Sequence, residues 1–331
     1  MTGTAAARGT FLAVDGGNSK TDVVLGDATG KIHARARGGP FRPQVTGVPA
    51  ALDALAETVA RVRARAGVEG PVERLSAFVA GADLPEEEAA LQEAFARRGW
   101  AREVHVANDT FALLHAGSPD GTGVAVVCGT GINCVGIAPD GSVARFPALG
   151  ILSGDWGGGM DIGTLMLWHA VRGEDGRGPR TVLASAVAGH FGLPTALDVT
   201  LAIHTGALAE TELRTLTPVL FTLTSDPTAR SILDRQADEV CALGLSALCR
   251  LGLDRTPTPV ILGGGVLGAA DPYLLGRIGD GFAASQAKVE LRVVTEPPVT
   301  GAALHALGAE ADVAVRELLL RQLSAGAALV G

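Results

Sequence analysis

Short apolar runs ending in glycine set the rhythm of this chain. Phe11–Asp15 and Asp22–Gly26 read as strands flanking a Gly-Gly-Asn turn, with Asp27–Gly30 as a second turn. Helical spacing of apolar positions predicts a helix over Val48–Ala66, with Arg61, Arg63 and Arg65 toward its end, where the helix dipole favours cations. Leu75–Ala80 reads as a strand, Pro85–Arg98 as a helix opened by Glu86–Glu88, and Val104–Val106 as a short strand ending at Asn108-Asp109. A helix then covers Phe111–His115.

The pattern then restarts. Ala125–Cys128, the turn Gly129-Thr130-Gly131, a second strand and the turn Pro139-Asp140-Gly141 repeat the opening hairpin, which we read as an internal duplication. Beyond the Gly-rich stretch Gly154–Gly163, the pattern is mostly helical from Thr164 to Leu251, interrupted by a polar loop at Gly173–Arg180. Pro259–Leu262 is a strand running into Gly263-Gly264-Gly265, followed by a helix over Tyr273–Ala287, a strand over Val289–Val294 and largely helix from Gly301 to Leu323. Strands alternating with helices make this an α/β protein.

Composition narrows the function. The 331 residues carry a formal net charge of −8, against a nucleic-acid or anionic-membrane surface, so a bound phosphate must be held by backbone amides, a metal ion or a few placed cations. Met1–Arg8 lacks the apolar stretch of an export signal, and no uninterrupted apolar run reaches the length of a membrane span. Cys128, Cys134, Cys241 and Cys249 show no CxxC or zinc spacing and read as buried free thiols. The expected location is the cytoplasm.

Three glycine turns, Gly16-Gly17, Gly129-Thr130-Gly131 and Gly263-Gly264-Gly265, each end an apolar strand, where backbone amides can approach a phosphate closely. Asp15 sits at the strand end beside Gly16, Gly17, Asn18, Ser19 and Lys20, placed either to hold Mg²⁺ or to cap the turn. Asp109 ends a strand, placed either as a general base or as the N-cap of the next helix.

The ordered set Asp15-Gly16-Gly17…Ser19-Lys20-Thr21, Asn108-Asp109-Thr110, Gly129-Thr130-Gly131…Asn133-Cys134, Gly154-Asp155 and Gly263-Gly264-Gly265 resembles the N-acetylglucosamine kinase branch of the actin–hexokinase superfamily, and the related ATPases that activate benzoyl-CoA-type reductases. The resemblance runs from about residue 11 to 308. It implies two ribonuclease-H-like domains, residues 1–117 and 118–331, with the C-terminal helix free to return to the first and ATP in the cleft between them. Asp15 would organise Mg²⁺; Gly16, Gly17, Asn18, Ser19 and Lys20 would face the triphosphate, with Gly129, Thr130 and Gly131 cradling it; Gly264 and Gly265 would form the adenosine turn. Asp109 would accept the proton of the sugar hydroxyl, and Phe41, Arg42, Asp83, Asn108, Asn133, Gly150 and Asp155 would line the sugar site.

The implied activity is transfer of the ATP γ-phosphoryl group to an amino sugar, N-acetylglucosamine (giving the 6-phosphate) or glucosamine, by a homodimer. Three positions depart from the family: the Gly39–Gln44 loop lacks its sugar-contacting Asn, Leu149 replaces Trp, and Trp156 stands where Glu is common. Arg42 in that loop is either simply solvated or placed to meet an acidic or phosphorylated substrate. Two other readings stay open. One is an ATP-hydrolysing activator or sensor that acts on a partner protein, its cysteines holding a cluster across a dimer. The other is an NAD-dependent oxidoreductase, from the GxGxxG at Gly263–Gly268 with Glu296 closing the following strand.

Overall fold

The computed structural model describes residues 9–308 and 311–325; Met1–Arg8, read above as carrying no export signal, lies outside them. Residues up to Thr122 together with those from Val294 form one compact unit, and Gly123–Val293 form a second.

The first unit is built on β1 (Thr10–Gly16), β2 (Thr21–Asp27), β3 (Ile32–Gly38), β4 (Val72–Val79) and β5 (Ala101–Asn108), in the order β3-β2-β1-β4-β5. The first three strands form an antiparallel meander, and β4 and β5 extend the sheet in parallel. Every residue of β1 is buried, as a central strand covered on both faces requires. Its helices are α1 (Pro43–Thr46), α2 (Val48–Ala66), α3 (Pro85–Ala96) and α4 (Asp109–Gly117). Leu52, Leu55, Val59 and Val62 of α2 pack on Leu12, Val14, Val23 and Leu25.

The second unit repeats this plan with β6 (Gly123–Cys128), β7 (Ile132–Ile137), β8 (Val143–Arg145), β9 (Thr258–Gly263) and β10 (Val289–Val293), in the order β10-β9-β6-β7-β8. Read from the meander outward, the two orders are identical, so the repeated hairpin of the sequence heads two copies of one topology. Its helices are α5 (Gly159–Asp175), α6 (Leu183–His190), α7 (Ala196–His204), α8 (Thr217–Phe221), α9 (Pro227–Arg250), α10 (Gly264–Leu267) and α11 (Pro272–Ala284). The long α9 supplies Ile232, Leu233, Val240 and Leu248 to a core shared with Val124, Val126 and Val260. The chain then re-enters the first unit as α12 (Val299–Leu307) and α13 (Val313–Ala325). Among the described residues, no helix is long and apolar enough to cross a membrane.

Several expectations are corrected. The edge strands β3 and β8 were not legible, β5 begins earlier than Val104, and the stretch from Gly301 to Leu323 is two helices broken at Gly308 rather than one. Cys128, Cys134 and Cys241 are buried but Cys249 is exposed, because it lies on the solvent side of α9.

Three histidines crowd Phe78 in the first unit: His105 of β5, His115 of α4 and His305 of α12. His305 stacks on His105 with ring centroids 4.3 Å apart and shares a 2.8 Å hydrogen bond with Ser76 Oγ. Burial and the neighbouring imidazoles push His305 down to about 3, and burial chiefly pushes His115 down to about 4. Both values lie below the ordinary ~6.5 of histidine. The unfolded chain therefore takes up these protons first, and the stability these groups contribute is complete above about pH 6.5 and drains away as pH falls below it. His305→Gln is expected to lose less melting temperature than the parent protein between pH 7 and 5; parallel slopes for the two proteins would show that the cluster does not titrate this way.

Candidate active site

In the first unit the chemistry gathers where β1, β4 and β5 end. Asp15 is buried on β1, directly opposite Asp22 across the antiparallel pair. Asp22 is compensated, since Lys20 Nζ lies 3.3 Å and Arg37 Nε 2.7 Å from its carboxylate. Asp15 has no such direct partner among the described residues. Desolvation, then the charges of Asp109 and Asp22, raise it to about 8. The charges of Lys20 and Arg37 offset this only in part, and a divalent cation at this carboxylate would restore its ionised form.

Gly16 and Gly17 are set by packing and hydrogen bonding. A side chain at Gly16 would strike Val79 Cγ1 at 2.9 Å, and the Gly17 amide donates to Lys20 O, closing a turn that leaves Asn18 and Ser19 exposed. The Phe41 amide donates to Gly17 O at 3.0 Å, which ties the Phe41-Arg42 loop to this turn.

At the end of β5 the two readings of Asp109 separate. Asn108 is the N-cap of α4: its Oδ1 accepts from Thr110 N at 3.0 Å and its Nδ2 donates to Asp83 Oδ1 at 2.8 Å. Asp109 is thereby released from capping and opens the helix as a part-buried carboxylate. Burial and then the Asp83 charge raise it to about 6, partly offset by hydrogen bonds from the first-turn amides. A carboxylate near neutrality at a strand end is suited to take a proton from a hydroxyl.

In the second unit the turn Gly129-Thr130-Gly131 is held from behind. Its carbonyls at Gly129 and Thr130 accept from the amides of Gly159 and Met160 at the start of α5, at 2.8 and 3.0 Å. Gly158, at φ +91°, abuts this turn so closely that a Cβ would lie 2.5 Å from Gly131 Cα. The first donors of α5 are spent on the turn, which leaves Thr130 and Gly131 on its exposed side. Gly264, at φ +86°, packs its backbone on the Cys128 carbonyl, and with Gly265 it starts α10 at the same end of the sheet, because β6 and β9 run parallel. Asp155 is buried, accepting a hydrogen bond from Ser153 Oγ, and its amide donates to Gly150 O at 3.0 Å. Asn133 lies on β7 just after the turn.

The expected site residues divide between the units: Asp15, Gly16, Gly17, Asn18, Ser19, Lys20, Phe41, Arg42, Asp83, Asn108 and Asp109 belong to the first, and Gly129, Thr130, Gly131, Asn133, Gly150, Asp155, Gly264 and Gly265 to the second. Sequence reasoning missed Arg37, which shares Asp22 with Lys20 from a strand too polar to be read, and Gln236, whose Oε1 accepts from Gly158 N at 2.9 Å and braces the glycine loop from α9.

The dinucleotide reading loses its geometry, because the helix after Gly263 spans only Gly264–Leu267 and Glu296 lies beyond the end of β10 at Val293. Burial pushes the Cys128 and Cys241 thiols up to about 12 and about 11, and Cys134 further still. Those three thiols are therefore poor cluster ligands.

A family model described as the BadF/BadG/BcrA/BcrD ATPase family matches residues 12–306. The chain belongs to this family. Its sequence is 25% identical over 261 residues to the N-acetylmuramic acid/N-acetylglucosamine kinase of Clostridium acetobutylicum, covering 77% of this chain and 85% of that protein. It is also 25% identical over 323 residues to the N-acetyl-D-glucosamine kinase of Dictyostelium discoideum, covering 91% of this chain and 98% of the other. The fold matches a candidate N-acetylglucosamine kinase from Chromobacterium violaceum with a TM-score of 0.69 at 22% identity, over 90% of this chain and 98% of that one. That likeness confirms the two-sheet architecture of this family member.

Proposed function

We propose that this family member is an ATP-dependent amino-sugar kinase that transfers the γ-phosphoryl group to a hydroxyl of N-acetylglucosamine, giving the 6-phosphate, or of glucosamine. The observation that carries the reading is the division of labour at the end of β5: Asn108 caps the helix and holds Asp83, leaving Asp109 free as a carboxylate raised to about 6. Both curated relatives are named as kinases of N-acetylated amino sugars, which supports the same substrate class.

Asp109 accepts the proton of the sugar hydroxyl as its oxygen bonds to the γ-phosphorus; the bond to the ADP oxygen breaks and ADP leaves with that electron pair. Gly16–Lys20 and Gly129–Gly131 hold the phosphates through backbone amides, and Gly264-Gly265 receive the adenosine. Mg²⁺ held by Asp15 would neutralise charge on the phosphates. Asn133, Gly150 and Asp155 orient the sugar hydroxyls.

The test is ADP release with Mg·ATP across N-acetylglucosamine, glucosamine, N-acetylmannosamine, glucose and a sugar-free blank. Turnover is expected to depend on an amino sugar. Equal release in every well would instead assign the protein to partner-coupled ATP hydrolysis, a reading the three buried cysteines already disfavour.

A further inference from the structure

We propose that Gln236 is a positioning residue that fixes Asp155 and the phosphate turn Gly129-Thr130-Gly131 in one geometry, so that a single buried amide governs the use of both substrates. This rests on the kinase reading above, which gives Asp155 to the sugar and the turn to the ATP phosphates.

Asp155 and the turn are joined by one short stretch of chain. At one end, the Asp155 amide donates to Gly150 O at 3.0 Å, and its carboxylate accepts from Ser153 Oγ, which in turn accepts from Leu149 N at 2.8 Å. At the other end, the amides of Gly159 and Met160 hold the Gly129 and Thr130 carbonyls, and Gly158 abuts Gly131. Between these anchorages lie only Trp156, Gly157 and Gly158, outside helix and strand, with both glycines at positive φ. A link so short carries any displacement at one end to the other.

Each of the three linking residues is set by a side chain. The Gly158 amide donates to Gln236 Oε1 at 2.9 Å, and Gly157 lies so close to the same amide that a Cβ would stand 2.8 Å from Nε2. The Gly157 amide donates to Asp161 Oδ2 at 2.8 Å. The guanidinium of Arg235, the neighbour of Gln236 on α9, lies 4.0 Å from the centroid of the Trp156 ring. The helix α9 thus reaches the link at all three residues, and Gln236 touches the two that lean on the phosphate turn.

Stability alone does not explain an amide at this position. Gln236 is 0% exposed, and its Nε2 makes no hydrogen bond among the described residues. A buried donor without a partner is costly, and a methionine would fill similar space without that cost. What methionine cannot supply is the oxygen that takes the Gly158 N–H. The amide is therefore kept for the alignment of the link.

The experiment measures kcat, the KM for N-acetylglucosamine and the KM for Mg·ATP in the parent protein, Gln236→Met, Gln236→Glu and Leu248→Ala. Gln236→Met is expected to lower kcat/KM for both substrates roughly 10- to 100-fold, because the two halves of the site lose their common support. Its melting temperature should stay within about 4 °C of the parent, since the freed Gly158 donor and the deleted Nε2 offset each other. Gln236→Glu keeps an oxygen for the Gly158 amide, and burial favours its neutral form, so it should recover most of the lost activity. Leu248→Ala opens a cavity in the core further along α9; it should lower the melting temperature and leave both KM values within about twofold. A loss confined to one substrate overturns the assignment, as does an equal loss in Leu248→Ala or no recovery in Gln236→Glu. A Gln236→Met protein that does not fold would make the amide a stability residue and overturn it too. Absence of turnover by the parent with every sugar overturns the kinase reading and this proposal with it, whereas parental turnover that survives in Gln236→Met overturns this proposal alone.

Discussion

Asp109→Asn is expected to lower kcat by ~10²–10⁴ while leaving the KM for ATP within about threefold. The substitution is close to isosteric, and the helix start does not depend on Asp109 because Asn108 performs the capping. What disappears is the ability to accept a proton. In the parent protein, activity should rise as pH climbs through about 6, where Asp109 becomes ionised, and the residual activity of the variant should lack that limb. Stability should move the other way. The folded-state value lies above the ordinary carboxylate value, so the group favours the fold while protonated and loses that advantage as pH rises from about 4 to 6. Above that window its charge is a burden, and Asp109→Asn should be more stable at pH 7.5 by on the order of 1–3 kcal/mol, with no gain at pH 4. Steady-state kinetics and thermal melts at the two pH values check both halves. A variant that is inactive and also less stable at pH 7.5 would make Asp109 a structural residue.

The choice between base and cap at Asp109 marks where sequence reading stops. Two adjacent residues able to cap, Asn108 and Asp109, preceded one helix, and local chemistry suits either. The register of β5 on β4 decides, because it places Asn108 opposite Val79 and within reach of Asp83, a residue 25 positions away in sequence. Contacts of that range leave no local trace. The helix Val48–Ala66 was legible to its ends because glycines flank an amphipathic stretch with a buried stripe at helical spacing. By contrast, β3 reads Ile-His-Ala-Arg-Ala-Arg-Gly, an edge strand with only Ala34 fully buried, and its polar surface hid it. Yet β3 supplies Arg37, so an unreadable edge helps set the electrostatics of Asp15. The glycine turns were visible as motifs, whereas their support from Gly158 and Gln236 depends on tertiary packing that no spacing rule encodes.

Gly301→Ala should be among the most damaging single-methyl additions to this chain, destabilising the first unit by roughly 3–5 kcal/mol. Gly301 lies in α12 at ordinary helical dihedrals, so backbone strain is not the reason. A Cβ there would lie 1.7 Å from the Ala112 carbonyl oxygen and 2.6 Å from its carbon, so two helix backbones would have to part. Backbone atoms within α4 cannot swing aside as a side-chain tip can. The displaced helix is the one that begins with Asp109, so a folded remnant should also lose kcat, because about 1 Å of misplacement at a catalytic group can cost ~10²-fold. Gly279→Ala in α11 is the matched comparison: the added methyl meets nothing within 4 Å, and helix propensity favours alanine by roughly 1 kcal/mol. The same chemical change is thus expected to stabilise at 279 and to cripple at 301. Urea unfolding of the two variants, read beside the parent protein, measures the difference. Near-equal midpoints would mean that α12 and α4 are not packed as closely as these distances require.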